Sequence, residues 1–334
     1  MVHSIRLIII SIILAGLSSC YREVVVTDTA ADVFELIVSP GLQDFLYSSR
    51  DTSYSLDDPE LQLLLEEQPL DLIEMKIRGK SSRNYQLKSF AVKLNAPVFI
   101  EDRDQSKMKM LSRFKLLALA MDYTYIENRL AFGLMEEAGL MPLFYKFVEL
   151  RMNGATQGVY LLMEDPEQFY KENGSEFILR RGYHHVLEDA DYEPSTHYIS
   201  EEDYVSRFED IYSIMTEFEG AELYNALSQR INLQQYFRKM SLDYLLVNGD
   251  FTDEIFLYAI LQQGAIQYQL IPWDYDDIFA SLPHEVGRTW GTGKVFGTRI
   301  YETHQDVLDV TGDKHIFSIE EDLDYIIARD SFMY

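Results

Sequence analysis

Hydrophobic and polar residues alternate with a period of two in several stretches of the first half of the chain. The alternation runs through residues 72–78 and again through residues 89–94. Side chains that alternate in this way are typical of β-strands with one buried face. Two further apolar runs, residues 147–152 and 158–163, flank Asn153-Gly154, a dipeptide that favours a tight hairpin turn. The pattern therefore predicts a mainly antiparallel sheet for this half.

Apolar residues recur at helical spacing elsewhere. In residues 124–138 they form one stripe; Thr124 followed by Glu127 is a candidate N-cap, and Gly139 would end the helix. The other segments predicted as helices are 60–67, 203–218, 221–230 and 233–247. The fold class that follows is α+β, with one helix beside the sheet and a second half that is mainly helical.

Two acidic clusters border a predicted hairpin in the second half. The first acidic cluster, residues 248–250, precedes the apolar run 255–261, and the run 268–272 leads into the second acidic cluster, residues 273–277. The outer ends of an antiparallel pair lie together, so we expect carboxylates of both clusters to face one pocket. Neighbouring carboxylates repel unless a cation or a shared proton offsets their charge, and oxygen ligands favour Mg²⁺, Ca²⁺ or Mn²⁺. A divalent metal beside a spare carboxylate is suited to phosphoryl transfer.

The N-terminus has the pattern of a bacterial lipoprotein signal. Arg6 precedes the apolar stretch 7–14, and Leu17-Ser18-Ser19-Cys20 resembles the lipobox, whose cysteine is acylated. The stretch is too short to span a bilayer. We expect a signal peptide over residues 1–19, lipidation at Cys20 and a location at the bacterial outer membrane or cell surface. A cleaved signal with an incidental cysteine is the alternative.

Composition narrows the classes of partner. The chain has 334 residues, of which 47% are hydrophobic and 13% aromatic, so it can build one large or two modest packed domains. The net charge of −26 argues against nucleic acid, because a polyanion is repelled. The negative charge has two interpretations: it keeps the protein soluble at a cell surface, or it attracts basic protein substrates.

Eight short motifs, most of them at the ends of predicted elements, follow one another along the chain. They are Arg78-Gly79-x-Ser81-Ser82-Arg83, Leu87-Lys88-Ser89-Phe90, Met121-Asp122-x-Thr124, Asn128-x-Leu130-Ala131, Val148-Glu149-Leu150-x-x-Asn153-Gly154, Gly158-Val159-Tyr160-Leu161, Asn248-x-Asp250 and Pro272-Trp273-Asp274-x-Asp276. Their set and order resemble those of the spore-coat protein H (CotH) kinase family, over about residues 72–279.

This resemblance implies an atypical protein-kinase-like bilobal fold and a matching activity. An N-lobe-like sheet region would cover residues 70–182 and a mainly helical C-lobe-like region, with the acidic hairpin, residues 183–334; residues 20–69 would be a tether and N-terminal extension. The implied activity is that of a secreted or surface-located kinase, which uses ATP and Mg²⁺ or Mn²⁺ to phosphorylate Ser or Thr. Its substrate would be another extracytoplasmic protein or the chain itself.

The resemblance also implies roles for individual residues. Asp250 would orient or deprotonate the acceptor hydroxyl, as the catalytic-loop aspartate does in kinases. The implied metal ligands are Asp274, Asp276 and Glu254. The implied ATP-binding residues are Gly79, Ser81, Ser82, Arg83, Lys88, Lys93 and Glu164. Lys88 or Lys93 would hold the phosphates, and Glu164 would pair with that lysine. The alternative for these three residues is a solvent-exposed position on a strand, and the alternative for Asp250 is a helix or turn cap.

Two departures from the family pattern leave a second function open. Glu127 stands where family members usually have Arg, and Asp253-Glu254 stands where a typical member supplies an Asn after the catalytic Asp. Since some members of the family act as surface ligands for receptors, a catalytically inactive pseudokinase that serves in binding or adhesion is the alternative.

Overall fold

Two β-sheets carry the fold, and helices pack beside them. The computed structural model describes residues 32–48, 55–56, 58–79, 85–102, 107–120, 122, 124–175, 177–181, 187–192, 201–246, 248, 255–262, 265–276, 278–279, 330 and 332–333. The strands are β1 (Val33–Ile37), β2 (Gln62–Leu65), β3 (Gln68–Pro69), β4 (Leu72–Arg78), β5 (Ser89–Asp102), β6 (Lys107–Leu117), β7 (Tyr145–Met152), β8 (Ala155–Glu164), β9 (Phe177–Arg181), β10 (Leu187–Tyr192), β11 (Ile255–Gln262) and β12 (Ala265–Ile271). The helices in these ranges are α1 (Pro40–Ser48), α2 (Glu127–Glu137), α3 (Pro166–Glu172), α4 (Glu201–Glu217), α5 (Gly220–Ser228) and α6 (Leu233–Leu246).

The larger sheet has eight strands in the order β3-β2-β1-β7-β8-β6-β5-β4. All neighbours are antiparallel except β1 and β7, so the sheet is mixed. The strands predicted at residues 72–78 and 89–94 are confirmed, and so is the hairpin at Asn153-Gly154, whose two residues have φ of 48° and 80°. Part of the segment 20–69, expected as tether and extension, supplies β1, α1, β2 and β3.

The helix predicted over residues 60–67 is wrong. This segment forms β2 and enters β3 through a two-residue turn at Glu66 and Glu67, which have φ of 47° and 66°. β2 pairs with β1, and Leu63 is fully buried as a result. Leu and Glu favour a helix, but intrinsic propensity is a small effect, and the pairing and burial available in the sheet override it.

The strands β4, β5 and β6 have one apolar face and one basic face. The side chains buried in the sheet's core on these strands include Met75, Ile77, Phe90, Val92, Phe114 and Leu116. Arg78, Lys93, Arg113 and Lys115 are each next in sequence to one of these buried residues, and successive side chains of a strand point to opposite faces. Lys93 and Arg113 lie opposite each other in the β5–β6 register, so they share a face.

The smaller sheet has the strand order β10-β9-β11-β12. The hairpin predicted between the acidic clusters is confirmed, since β11 pairs antiparallel with β12 from Phe256↔Ile271 to Gln262↔Ala265. The three helices predicted in the second half are confirmed as α4, α5 and α6, which share a core with this sheet. Every helix within the described ranges is too short or too polar to cross a lipid bilayer.

A separate core joins the two sheets to α2. Its buried side chains include Phe132 of α2, Tyr145 and Leu161 of the larger sheet, and Trp273 and Tyr275 of the second acidic cluster. The second acidic cluster is therefore part of the packing between the sheet-rich and the helical parts of the chain.

Candidate active site

The second acidic cluster directly follows β12. Trp273 and Tyr275 are buried, whereas Asp274 and Asp276, which alternate with them, are partly exposed. Asp274 has φ of 59°, a left-handed conformation that is uncommon for a residue other than Gly. The two aromatic side chains thus anchor the segment and leave two carboxylates accessible.

Asn128 in the first turn of α2 holds the second acidic cluster. Its Oδ1 accepts a hydrogen bond from the backbone N–H of Tyr275 at 3.3 Å, and the ring of Tyr275 packs edge-on against Phe132 of the same helix. Burial and, secondly, the nearby charge of Asp243 raise the pKa of Tyr275 well above its usual value. The tyrosine therefore stays neutral in the core.

The start of α2 differs from the prediction. The N-cap position is Ile126, not Thr124, and no side chain of the N-cap itself bonds to the helix. Asp122 takes that function: its carboxylate accepts the N–H groups of Ile126 and Asn128 and the hydroxyl of Thr124, each at 3.1 Å. A carboxylate at a helix N-terminus is favoured by the helix dipole, which explains why the aspartate displaces the threonine.

The first acidic cluster begins at the C-terminal end of α6. Asn248 is buried, its backbone N–H donates to the Asp243 carbonyl at 3.0 Å, and its Nδ2 donates to Asp243 Oδ1 at 3.3 Å. The backbone N–H of Phe279 donates to the Leu246 carbonyl at 2.7 Å. Leu246 also shares a buried core with Trp273 and Tyr275, so described parts of both clusters lie at the same end of α6. The predicted Asp250 and Glu254 fall outside the described residues.

Two cations lie on Trp273 of the second acidic cluster. Lys115 Nζ is 4.4 Å from the centroid of the indole, and the guanidinium carbon of Arg78 is 5.6 Å from it. Lys115 also lies 3.6 Å from the Asp165 carboxylate. Burial raises the pKa of Asp165, but Lys115 and the N–H of Glu167 more than offset this and lower it. The basic face of the larger sheet thus approaches the second acidic cluster.

Sequence reasoning did not select Lys115. The period-two alternation that would have indicated its face is broken in β6, where Leu111 and Phe114, three positions apart, are buried in one core. The Oε1 of Gln168 accepts the N–H groups of Ser112 and Arg113 at 2.9 Å each, which satisfies the backbone at this irregularity. The position of Lys115 on Trp273 is therefore visible only in the folded structure.

The predicted phosphate-binding lysines have different surroundings. Lys88 is buried and its Nζ donates to the Tyr85 carbonyl at 2.6 Å, whereas Lys93 is exposed in the middle of β5. Gly79 follows β4 with φ of 107°, so the loop turns there in a conformation that favours glycine. The predicted loop residues Ser81, Ser82 and Arg83 fall outside the described residues.

Glu164 is fully buried at the end of β8. Its Oε2 accepts a hydrogen bond from the Phe144 N–H at 3.0 Å, and its Oε1 forms an ion pair with Lys109 Nζ at 2.8 Å. Lys109 Nζ also lies 2.6 Å from Glu172 Oε2. Burial raises the pKa of Glu164, and the hydrogen bonds from Lys109 and Phe144 offset this only in part. Burial lowers the pKa of Lys109, but its two carboxylate partners outweigh that and raise it. Its ion-pair partner is therefore Lys109, whereas Lys88 or Lys93 was expected.

The donors near the clusters fit a hard divalent cation. Asp274 and Asp276 offer carboxylate oxygens of the kind that Mg²⁺ and Mn²⁺ prefer. Within the described ranges, no group of three or more His, Cys, Asp or Glu side chains is arranged to hold a metal. A complete ligand set would therefore need carboxylates of the adjoining segments as well.

The family comparison decides the chain's membership. A family model described as "CotH kinase protein" matches residues 75–309, well over half of the chain. The chain belongs to the CotH kinase family. The matched range includes every residue that the sequence analysis proposed for catalysis, metal or ATP, and it also includes Lys115 and Asn128. Membership of the CotH kinase family indicates a kinase-like function.

A curated protein is a distant relative of this CotH family chain. It is "Inner spore coat protein H" from Bacillus subtilis (strain 168), which is 21% identical over 238 residues. The match covers 66% of this chain and 62% of the relative, so the chain spans about three fifths of the relative's length.

Proposed function

We propose that this CotH family chain is a surface-anchored atypical protein kinase that transfers phosphate from ATP to Ser or Thr of extracytoplasmic proteins, with Mg²⁺ or Mn²⁺. One observation carries the proposal. Asn248 of the first acidic cluster and Trp273 of the second both contact the end of α6, and Trp273 lies against the cations Lys115 and Arg78 of the larger sheet. Carboxylates for a metal beside cations for phosphates are the arrangement that phosphoryl transfer uses. The same arrangement supports the kinase-like bilobal comparison for the fold.

The carboxylates have separate proposed roles. Asp274 and Asp276 would hold the metal, with Glu254 as a further ligand. Asp250 would orient the acceptor hydroxyl and take up its proton as the new bond to phosphorus forms. When bound, the metal with ATP supplies the phosphoryl group and neutralises the charge that develops on it.

The cations are proposed to bind the ATP phosphates. Lys115 and Arg78 are the strongest candidates among the described residues, because both lie on Trp273, the neighbour of Asp274. Lys88 would assist from the adjoining loop, together with the Gly79–Arg83 segment. An ammonium and a guanidinium both bind phosphate oxygens through charge-assisted hydrogen bonds.

Location and partners are proposed from the relative and from the sequence. The relative's name places that protein in the inner spore coat, which supports a surface location for this chain. The lipobox-like segment supports attachment through Cys20, which lies outside the described residues. The net charge of −26 supports basic protein substrates and argues against nucleic acid.

Labelled ATP tests the proposal. The purified chain in detergent is incubated with γ-labelled ATP, Mn²⁺ or Mg²⁺ and a basic Ser-containing protein, and the protein-bound label is counted. We expect transfer by the wild type and by the control Asp71→Asn, an exposed substitution on a residue that bonds to Asn95. Asp250→Asn is expected to lower the rate by about 100-fold or more, the usual effect of losing a catalytic base.

A wild type that neither binds Mn·ATP nor transfers label would overturn the kinase proposal. The chain would then be a catalytically inactive member of the family, with binding or adhesion as its function. Equal transfer by Asp250→Asn and wild type would overturn the role of Asp250 alone.

A further inference from the structure

A buried ion pair lies on α6, outside all eight sequence motifs. Lys239 Nζ is 2.6 Å from Asp243 Oδ2, and the two side chains are only 6% and 7% exposed. Removing two charges from water is costly, and a well-packed apolar pair in the same place is often as stable or more stable. Stability alone therefore does not account for this pair, and its other contacts indicate a different role.

Asp243 contacts the first acidic cluster directly. Its Oδ1 accepts the side-chain amide of Asn248 at 3.3 Å, and its carbonyl accepts the backbone N–H of Asn248 at 3.0 Å. Asn248 is the first residue of that cluster and is itself buried. Two hydrogen bonds to one aspartate fix the chain two positions before Asp250. Lys239 occupies the other carboxylate oxygen, so the carboxylate is held from both sides.

The helix that carries Asp243 also packs against the second acidic cluster. Leu246 of this helix is buried in one core with Trp273 and with Tyr275, the residue between Asp274 and Asp276. Three residues after Asp243 on the same helix, the Leu246 carbonyl accepts the N–H of Phe279 at 2.7 Å. The end of α6 therefore contacts both acidic clusters: Asp243 bonds to the first, and Leu246, about one turn later, packs with the second.

We propose that Asp243, held in place by Lys239, is a positioning residue that sets the two acidic clusters against each other. The consequence for the metal rests on the proposed function, whereas the structural consequence does not. Without Asp243, the side-chain amide of Asn248 loses this acceptor, so the backbone that leads to Asp250 is no longer tied to the helix that packs against Tyr275.

The test compares three changes in the full chain. Asp243→Asn keeps the size of the side chain but removes its charge. The double variant Lys239→Met with Asp243→Leu replaces the ion pair by apolar groups of similar volume. Leu223→Ala is the matched control, because it weakens the core of α5 and the smaller sheet without touching either acidic cluster.

Two readouts follow the clusters without using catalysis. Hydrogen exchange is measured by mass spectrometry for peptides that cover residues 246–258 and 272–279. Emission of Trp273 is recorded in a Trp290→Phe background, since the chain has two tryptophans. We expect faster exchange in both peptides and red-shifted emission for Asp243→Asn and for the double variant. Leu223→Ala should leave the exchange rates and the emission unchanged, even if it lowers the unfolding midpoint more than the other variants do.

Manganese affinity gives the third readout. Loss of a residue that orients ligands usually weakens metal binding by about 10- to 100-fold, and we expect this loss for Asp243→Asn and for the double variant but not for Leu223→Ala. Unchanged exchange and emission in the Asp243 variants would overturn the inference. A wild type that binds no Mn²⁺ would refute the proposed function, while the exchange and emission results would still decide the positioning role.

Discussion

Asn128 Oδ1 accepts the backbone N–H of Tyr275 at 3.3 Å, across 147 residues of sequence. Asn128 belongs to the helix motif at the start of α2, and Tyr275 lies between the two proposed metal ligands. Asp122 bonds to the N–H of Asn128 and so fixes the first turn of the helix. Three separate motifs are therefore joined by hydrogen bonds around one buried amide.

The first prediction concerns this amide. Asn128→Ala removes the acceptor for the buried Tyr275 N–H, and an unsatisfied buried donor costs about 1–3 kcal/mol. We expect the free energy of unfolding, measured with urea, to fall by about that amount. Asn95→Ala is the control, because Asn95 is exposed and bonds to Asp71 at the surface. A loss for Asn128→Ala no larger than the control's would contradict the role of the hydrogen bond.

The second prediction separates the candidate lysines. Lys115→Met should weaken Mn·ATP binding by about tenfold or more, since a charge-assisted hydrogen bond contributes about 1.5–3 kcal/mol. Lys93→Met should have a smaller effect, because Lys93 is exposed and Lys115 lies on Trp273. Fluorescence of a nucleotide analogue measures both affinities. The opposite ranking would return the phosphate-binding role to Lys93.

Much of the fold follows from local pattern. The strands β4, β7, β8, β11 and β12 are predictable because each has a regular alternation or an apolar run beside a turn signal. The helix at residues 60–67 is mispredicted because the pairing of β2 with β1 depends on residues about thirty positions earlier. Whether a Leu-rich segment joins a sheet is a tertiary question.

The site divides in the same way. The hairpin that separates the acidic clusters is predictable, since two apolar runs flank a turn signal there. The position of Lys115 is not predictable, because the alternation of buried and exposed side chains in β6 is interrupted before this residue. Asp243 and Lys239 carry no local signal at all: on a helix with apolar neighbours, only packing shows that this ion pair is buried.

The third prediction is a pH dependence. The pKa of Glu164 is raised in the folded state, chiefly by burial, so the folded chain binds its proton more readily than the unfolded chain does. Its contribution to stability is therefore greatest below the ordinary glutamate pKa of about 4.3 and falls as pH rises through the raised value. The unfolding free energy of wild type minus that of Glu164→Gln should decrease with rising pH.

Glu136 supplies the opposite sign as a control. Burial raises its pKa, but hydrogen bonds from Lys107 and Tyr145 outweigh burial and lower it. Its contribution is present above the ordinary pKa and is lost as pH falls. The unfolding free energy of wild type minus that of Glu136→Gln should thus increase with rising pH. If this difference and the one for Glu164→Gln changed with pH in the same direction, the two pKa directions would be contradicted.

The fourth prediction concerns the β2–β3 turn. Glu67 has φ of 66°, a left-handed conformation that costs a residue with a side chain about 1 kcal/mol, and Gly removes this cost. Glu67→Gly should raise the free energy of unfolding by about 0.5–1 kcal/mol in urea denaturation. Glu66→Gly should gain less, because Glu66 Oε1 accepts the Val33 N–H at 2.7 Å and that bond is lost. Equal gains for both variants would contradict this explanation.

Calorimetric titration of Mn·ATP into the wild type and Asp274→Asn tests the central claim most directly. The acidic clusters and the basic sheet face are proposed to form one site for a metal-bound nucleotide. The wild type should bind with a Kd between about 1 μM and 1 mM, the usual range for enzyme substrates, and Asp274→Asn should bind about tenfold or more weakly. A wild type that gives no binding heat at millimolar Mn·ATP, or an Asp274→Asn variant that binds as tightly as wild type, would contradict the account.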